Sequence, residues 1–148
     1  MSRIKLCVAS LIVAVVALSA GAAFAKPLSE GQWTKRADAI CAQMYVDMNT
    51  IQDDAFGPNS PNPVPPGTPS ADELAAFATE LVPVFNDGVA SIDALKEPNA
   101  LKRGVRKLVA AAHKDAAAIE ADPGILGLPT DPFARTTKIG TKLELTCA

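Results

Sequence analysis

WTKRADAICAQMYVDMNTI, residues 33–51, decides the fold of this 148-residue chain. Trp33, Ala37, Ile40, Cys41, Met44, Met48 and Ile51 recur at spacings of three and four, which places them on one buried face of a helix. Cys41 lies inside that stripe. Strand-like alternation is nearly absent, alanine is abundant and aromatic residues make up 5% of the chain. The expectation is an all-α protein: an antiparallel bundle of three long helices plus a short fourth C-terminal helix, stapled by one disulfide.

Residues 1–25 read as a signal peptide. Arg3 and Lys5 precede a run from Leu6 to Leu18 that is almost entirely apolar, and Ala23-Phe24-Ala25 supplies the small residues of a cleavage site. The run is shorter than the roughly 20 residues that span a bilayer, and no basic stop-transfer cluster follows it. Cys7 falls inside this leader, and Ile4-Lys5-Leu6 before it is unlike a lipoprotein cleavage site. The reading is therefore a secreted or extracytoplasmic protein with no transmembrane anchor after cleavage. Loss of Arg3 and Lys5 takes the formal charge from −2 to −4. A mildly acidic chain lacks the basic surface that nucleic-acid binding calls for, so no nucleic-acid partner is expected. The remaining residues, 26–148, suit a single domain with its own core.

Two cysteines remain after export, Cys41 and Cys147, and in an oxidising compartment they are expected to pair. That bond would close a loop of about 105 residues, for which chain entropy gives roughly 4–5 kcal/mol. It would be a structural staple. A redox-active pair would sit closer in sequence, as in CxxC.

The elements between the cysteines follow from local signals. Ser29 or Thr34 caps the first helix, which is expected from about Thr34 to Gln52 with Asp38 and Asp47 facing water. A proline-rich linker covers residues 54–69. Its run GPNSPNPVPPGTP, residues 57–69, holds six prolines that deny both helix and sheet their backbone donors. PxxP spacings occur there, but a stiff spacer is the simpler reading. Ser70-Ala71-Asp72-Glu73 is a capping box. Leu74, Phe77, Leu81, Phe85, Gly88, Ile92 and Leu95 then form one stripe across Pro83, so a single helix kinked at the proline is expected. Gly88 on this face would admit a neighbouring backbone.

Glu97-Pro98-Asn99 ends the second helix, with Asn99 as the next N-cap. Leu101, Val105, Leu108, Ala112, Ala116 and Ile119 mark the third helix, stopped by Asp122-Pro123-Gly124. Lys102, Arg103, Arg106, Lys107, His113 and Lys114 fall mostly on its far side, a solvated face placed to pair with Glu73, Glu80 and Asp87 of the second helix. Ile125, Leu126 and Leu128 form an apolar loop expected to plug one end. Thr130-Asp131-Pro132 opens a short last helix through about Leu143, a strand over residues 141–146 being the alternative, after which the tail delivers Cys147 to Cys41.

Ala37-Asp38-Ala39-Ile40-Cys41 near the mature N-terminus, Glu97-Pro98 between the middle helices, and Asp131-Pro132-Phe133-Ala134 opening a terminal helix that ends in Cys147 together resemble a group of small secreted actinobacterial helical proteins. The resemblance runs over the whole mature chain. The group often has asparagine three residues after the first cysteine and glycine beside the last, where this chain has Met44 and Thr146-Cys147-Ala148. The resemblance implies a secreted helical bundle with a Cys41–Cys147 bridge, and no activity.

Chemistry is sparsely signalled. His113 is the only histidine, and nucleophilic triads, HExxH, CxxC, glycine-rich phosphate loops and EF-hand spacings are all missing. A metal site would have to gather Asp115 or Glu120 around His113, and no metal is expected. Nor is an enzyme that works by positioning alone, since Arg36, Arg103, Arg106 and Arg135 point outward by stripe phase. The preferred reading is a non-enzymatic binding module, without a cofactor, for an envelope or extracellular protein or a small apolar ligand. The alternative is a small-ligand or haem-binding bundle using Met44, Met48, Tyr45 and His113.

Overall fold

The computed structural model describes residues 27–58 and 69–146, all helix, turn or coil with no strand. The stretch read as a signal peptide, most of the proline-rich stretch with its PxxP spacings, and Cys147 lie outside the described residues. The helices are α1 (Glu30–Phe56), α2 (Ala71–Asp93), α3 (Lys102–Ala121) and α4 (Ala134–Lys142), with a 3-10 turn at Pro123–Gly127. α1 packs on α2, α2 on α3 and α3 on α4, while the 3-10 turn lies against α2 and α3. Among the described residues, no helix is long and apolar enough to cross a membrane.

Between Ser29 and Thr34, Ser29 is the cap. Its hydroxyl accepts from the Gln32 amide at 3.3 Å, and the Gln32 side chain accepts from the Ser29 amide at 3.2 Å. α1 thus starts four residues before Thr34, and it continues to Phe56, three residues into the stretch read as linker. The extension has a packing cause: Phe56 stacks edge-on against Phe77 of α2, ring centres 5.0 Å apart. Ser70 and Glu73 form the expected capping box on α2. The Ser70 amide, and then its hydroxyl, hold the Glu73 carboxyl below its usual range. A carboxyl lowered by folding adds stability above its unfolded pKa and loses it as the pH falls through the lowered folded value.

α2 runs unbroken through Pro83, one helix as the stripe phase requires. It carries most of the core: Leu74, Phe77, Leu81, Phe85 and Val89 pack with Ala112, Ala116 and Ile119 of α3 and Leu126 of the 3-10 turn. Of the three apolar loop residues only Leu126 is buried; Leu128 is exposed. The 3-10 turn aims one side chain inward per turn, so the plug is narrower than the composition suggested. Gly88 admits a side chain and not a backbone, since a Cβ there would stand 2.6 Å from Met44 Sδ.

Two expected contacts are replaced by others. Asn99 is not the cap of α3: the Pro98 carbonyl accepts the amides of Leu101 and Lys102, residues 99–101 make a turn, and Leu101 occupies the cap position. The basic face of α3 is exposed as expected, but no ion pair joins it to Glu73, Glu80 or Asp87 among the described residues.

The second cluster joins the first turns of α1 to the segment after α4. Trp33, Ala37 and Cys41 of α1 pack with Ile92, Val105 and Leu108 and with Leu143 and Leu145 of the tail. α4 ends in a Schellman motif: the Leu145 amide donates to the Gly140 carbonyl at 3.1 Å and the Glu144 amide to Thr141 at 3.2 Å. Glu144 therefore sits at φ 58°, in the left-handed region. The reversal turns Leu143 and Leu145 inward on either side of Glu144, and Leu143 seats on Gly104, where a Cβ would meet its Cδ2 at 2.6 Å. The alternative strand over residues 141–146 does not form. The Thr146 amide next donates to Asp38 Oδ1 at 2.8 Å, so Asp38 anchors the tail and does not merely face water.

Because a non-glycine residue in the left-handed region costs on the order of 1 kcal/mol, Glu144→Gly is expected to raise unfolding free energy by about 0.5–1 kcal/mol in urea titration. A destabilised variant would show that the tail does not turn at Glu144.

Candidate functional site: a cleft between the first and last helices

Helices α1 and α4 both lie over the α2–α3 layer without packing on each other, and a cleft remains between them. α1 contributes Cys41, Met44, Tyr45 and Met48, because the apolar stripe is wider than the surface that α2 covers. Phe85, Val89 and Ile92 of α2 and Leu108 and Val109 of α3 make the floor. Phe133, Thr136, Thr137 and Gly140 close the far side. This lobe has a volume of about 210 Å³. A second lobe of about 410 Å³ continues toward Gln52, Phe77, Leu81 and Leu126. Tyr45, Met48, Asp131 and Phe133 line both.

What holds α4 in place is a carboxylate inside α3. Asp115 is 1% exposed. Its Oδ1 accepts from Arg135 Nη1 at 2.8 Å, and its Oδ2 accepts from the Thr136 amide at 3.0 Å and from the Thr136 hydroxyl at 2.8 Å. An unpaired buried carboxylate would be costly, and here three donors from the first turn of α4 satisfy it. Arg135, expected to point outward, has a 63% exposed side chain whose guanidinium nevertheless reaches in to Asp115. Asp115 is accordingly engaged by α4 and is not gathered toward His113.

Asp131 fixes the entrance to α4 in a similar way. Its Oδ1 accepts from the Phe133 amide at 2.8 Å and its Oδ2 from the Thr137 hydroxyl at 3.0 Å. That turn lays the Phe133 ring on Phe85, centroids 4.5 Å apart, at the boundary between the lobes. Comparisons with protein families, with curated proteins and with solved structures find no match to this chain.

Three of the four residues singled out as possible ligand contacts meet in this cleft. Met44, Tyr45 and Met48 line it from one face of α1, Tyr45 at the rim with 49% of its surface exposed. His113 does not join them; it lies on the exposed face of α3. Among the described residues, no group of three or more His, Cys, Asp or Glu side chains converges. Cys41 is buried at the cleft wall, and Cys147, the other half of the expected disulfide, lies outside the described residues.

Sequence reasoning weighed Asp115 only as a metal ligand beside His113, and passed over Asp131 and Phe133 as parts of a site. For Asp115 a signal existed: it falls between Ala112 and Ala116 on the buried stripe of α3, and an acid on an apolar face demands donors from a neighbour.

Asp115→Asn removes the charge that organises those three donors and leaves an amide NH₂ facing them. The expected cost is roughly 1–3 kcal/mol, with amide exchange rising across α4 while α2 keeps its protection. Uniform exchange across both helices would show that α4 is not held separately by this carboxylate.

Proposed function

We propose that this protein is a non-enzymatic binding protein that takes a small, largely apolar ligand in the cleft between α1 and α4. One observation carries the reading: an apolar cleft floored by Phe85, Val89 and Leu108 and walled by Met44, Met48 and Phe133, with few polar groups at its rim. An engineered apolar cavity of about 150 Å³ is enough for a benzene-sized guest, so the 210 Å³ lobe suits a small ring or a short chain. Unbranched methionines adapt to guests of differing shape. A neutral apolar fluorophore such as N-phenyl-1-naphthylamine should bind with a Kd on the order of tens of micromolar, and Val89→Trp, which fills the floor, should abolish the signal. Unchanged binding to the Trp variant would place the ligand elsewhere.

A second reading, haem binding, is favoured by Tyr45, whose ring is half exposed at the junction of the lobes between Met44 and Met48. Phenolate and thioether are both axial haem ligands. Haemin titration giving a Soret shift that Tyr45→Phe removes, with His113→Ala silent, would select it over the first.

The same reading includes export, membership of the secreted actinobacterial group, and a Cys41–Cys147 disulfide that closes an antiparallel bundle. The Asp38–Thr146 hydrogen bond supports the pairing, because it sets the residue before Cys147 beside the turn of α1 that precedes Cys41. Non-reducing peptide mapping of secreted protein should recover both cysteines in one fragment. Recovery of two alkylated thiols would end this part of the proposal.

A further inference from the structure

Tyr45, Met48, Asp131 and Phe133 line both lobes, so two aromatic rings and a carboxylate stand where the lobes meet. Asp131 is the one charged residue lining either lobe among the described residues. Its carboxylate is held in place by the Phe133 amide and the Thr137 hydroxyl, both neutral donors, and no cation lies within ion-pair distance of it among the described residues. A helix-entrance carboxylate has a structural duty, and these two bonds discharge it. They leave its negative charge uncompensated in a junction also lined by the Tyr45 and Phe133 rings, and a carboxylate with aromatic rings is the combination by which proteins recognise ammonium groups. The basic residues of α3 lie on the exposed face of that helix, and none lines either lobe. An anionic head would therefore meet Asp131 without any countercharge.

We propose that the ligand is a cationic amphiphile, its ammonium group lodged between Tyr45, Phe133 and Asp131 and its apolar body in the lobe floored by Phe85 and Val89. This rests on the apolar-cleft reading above and adds the charge of the guest. The attraction is partly exposed to solvent, so the preference for a cation weakens as salt rises.

The test uses purified protein loaded with N-phenyl-1-naphthylamine, displaced in parallel by decyltrimethylammonium, decyl sulfate and decyl maltoside below their micelle concentrations. Fluorophore binding reports the cleft itself; the order of displacement reports the charge. Decyltrimethylammonium should displace at a concentration lower by on the order of tenfold than decyl sulfate, with the maltoside between them. Asp131→Asn, which keeps an acceptor for the Phe133 amide, and Tyr45→Leu should each narrow that gap to about twofold when displacement is referred to each variant's own fluorophore affinity. Equal displacement by the sulfate, or a gap untouched in both variants, overturns the cationic assignment and leaves the cleft reading standing. If the fluorophore does not bind and titration calorimetry with decyltrimethylammonium gives no heat, both fall.

Discussion

The carboxylate of Asp115 is the contact on which the rest of this structure depends. α4 is nine residues long, too short to be stable alone in water. Apart from Gly140, its own residues are at most partly buried. The helix is instead fixed by three donors converging on one buried acid, and by a tail whose two leucines pack under Trp33 and Cys41. Pinned at both ends on α3 and α1, α4 stands away from the exposed half of the α1 stripe. The cleft is the space left over. Polar fastening of one helix and apolar fastening of its tail thus produce a concave surface that a fully packed bundle would lack.

The same arrangement explains why the chain tolerates unfavourable local features. Glu144 adopts a backbone conformation that glycine would adopt more easily. The turn it makes buries Leu143 and Leu145 at once and brings Thr146 to Asp38. Gly88 and Gly104, weak helix residues, sit where Met44 and Leu143 press closest. Each compromise lies where α1 or the tail seats on α2 or α3, outside the lining of the cleft, while the α2–α3 core follows the ordinary rules of apolar packing.

Much of the fold was legible because period-3.6 stripes and caps are local signals. The α2 stripe, its capping box and its continuity through Pro83 all follow from spacing and side-chain chemistry, and the structure has them. Local signals failed where a distant partner decides. Phe56 extends α1 because Phe77 is there, and Asn99 yields the cap because the Pro98 carbonyl reorganises the turn. Asp38 is an anchor only because a tail more than a hundred residues later returns to it. The candidate site was half legible for the same reason: Met44, Tyr45 and Met48 share one helix face and could be grouped, whereas Asp131 and Phe133 reach them only through the Asp115 fastening. His113 was a candidate by scarcity of histidine alone, and stripe phase had already placed it on the solvated side.

A double-mutant cycle between Asp115 and Thr136 measures the hold of the carboxylate on α4. With Asp115→Ala, Thr136→Val and the double variant compared by urea denaturation, a coupling of about 1 kcal/mol or more is expected, because the Thr136 hydroxyl acts through the carboxylate it donates to. A coupling below about 0.3 kcal/mol would mean the two residues stabilise the protein independently. It would also mean that the carboxylate does not set the position of α4, and the cleft would lose its physical basis.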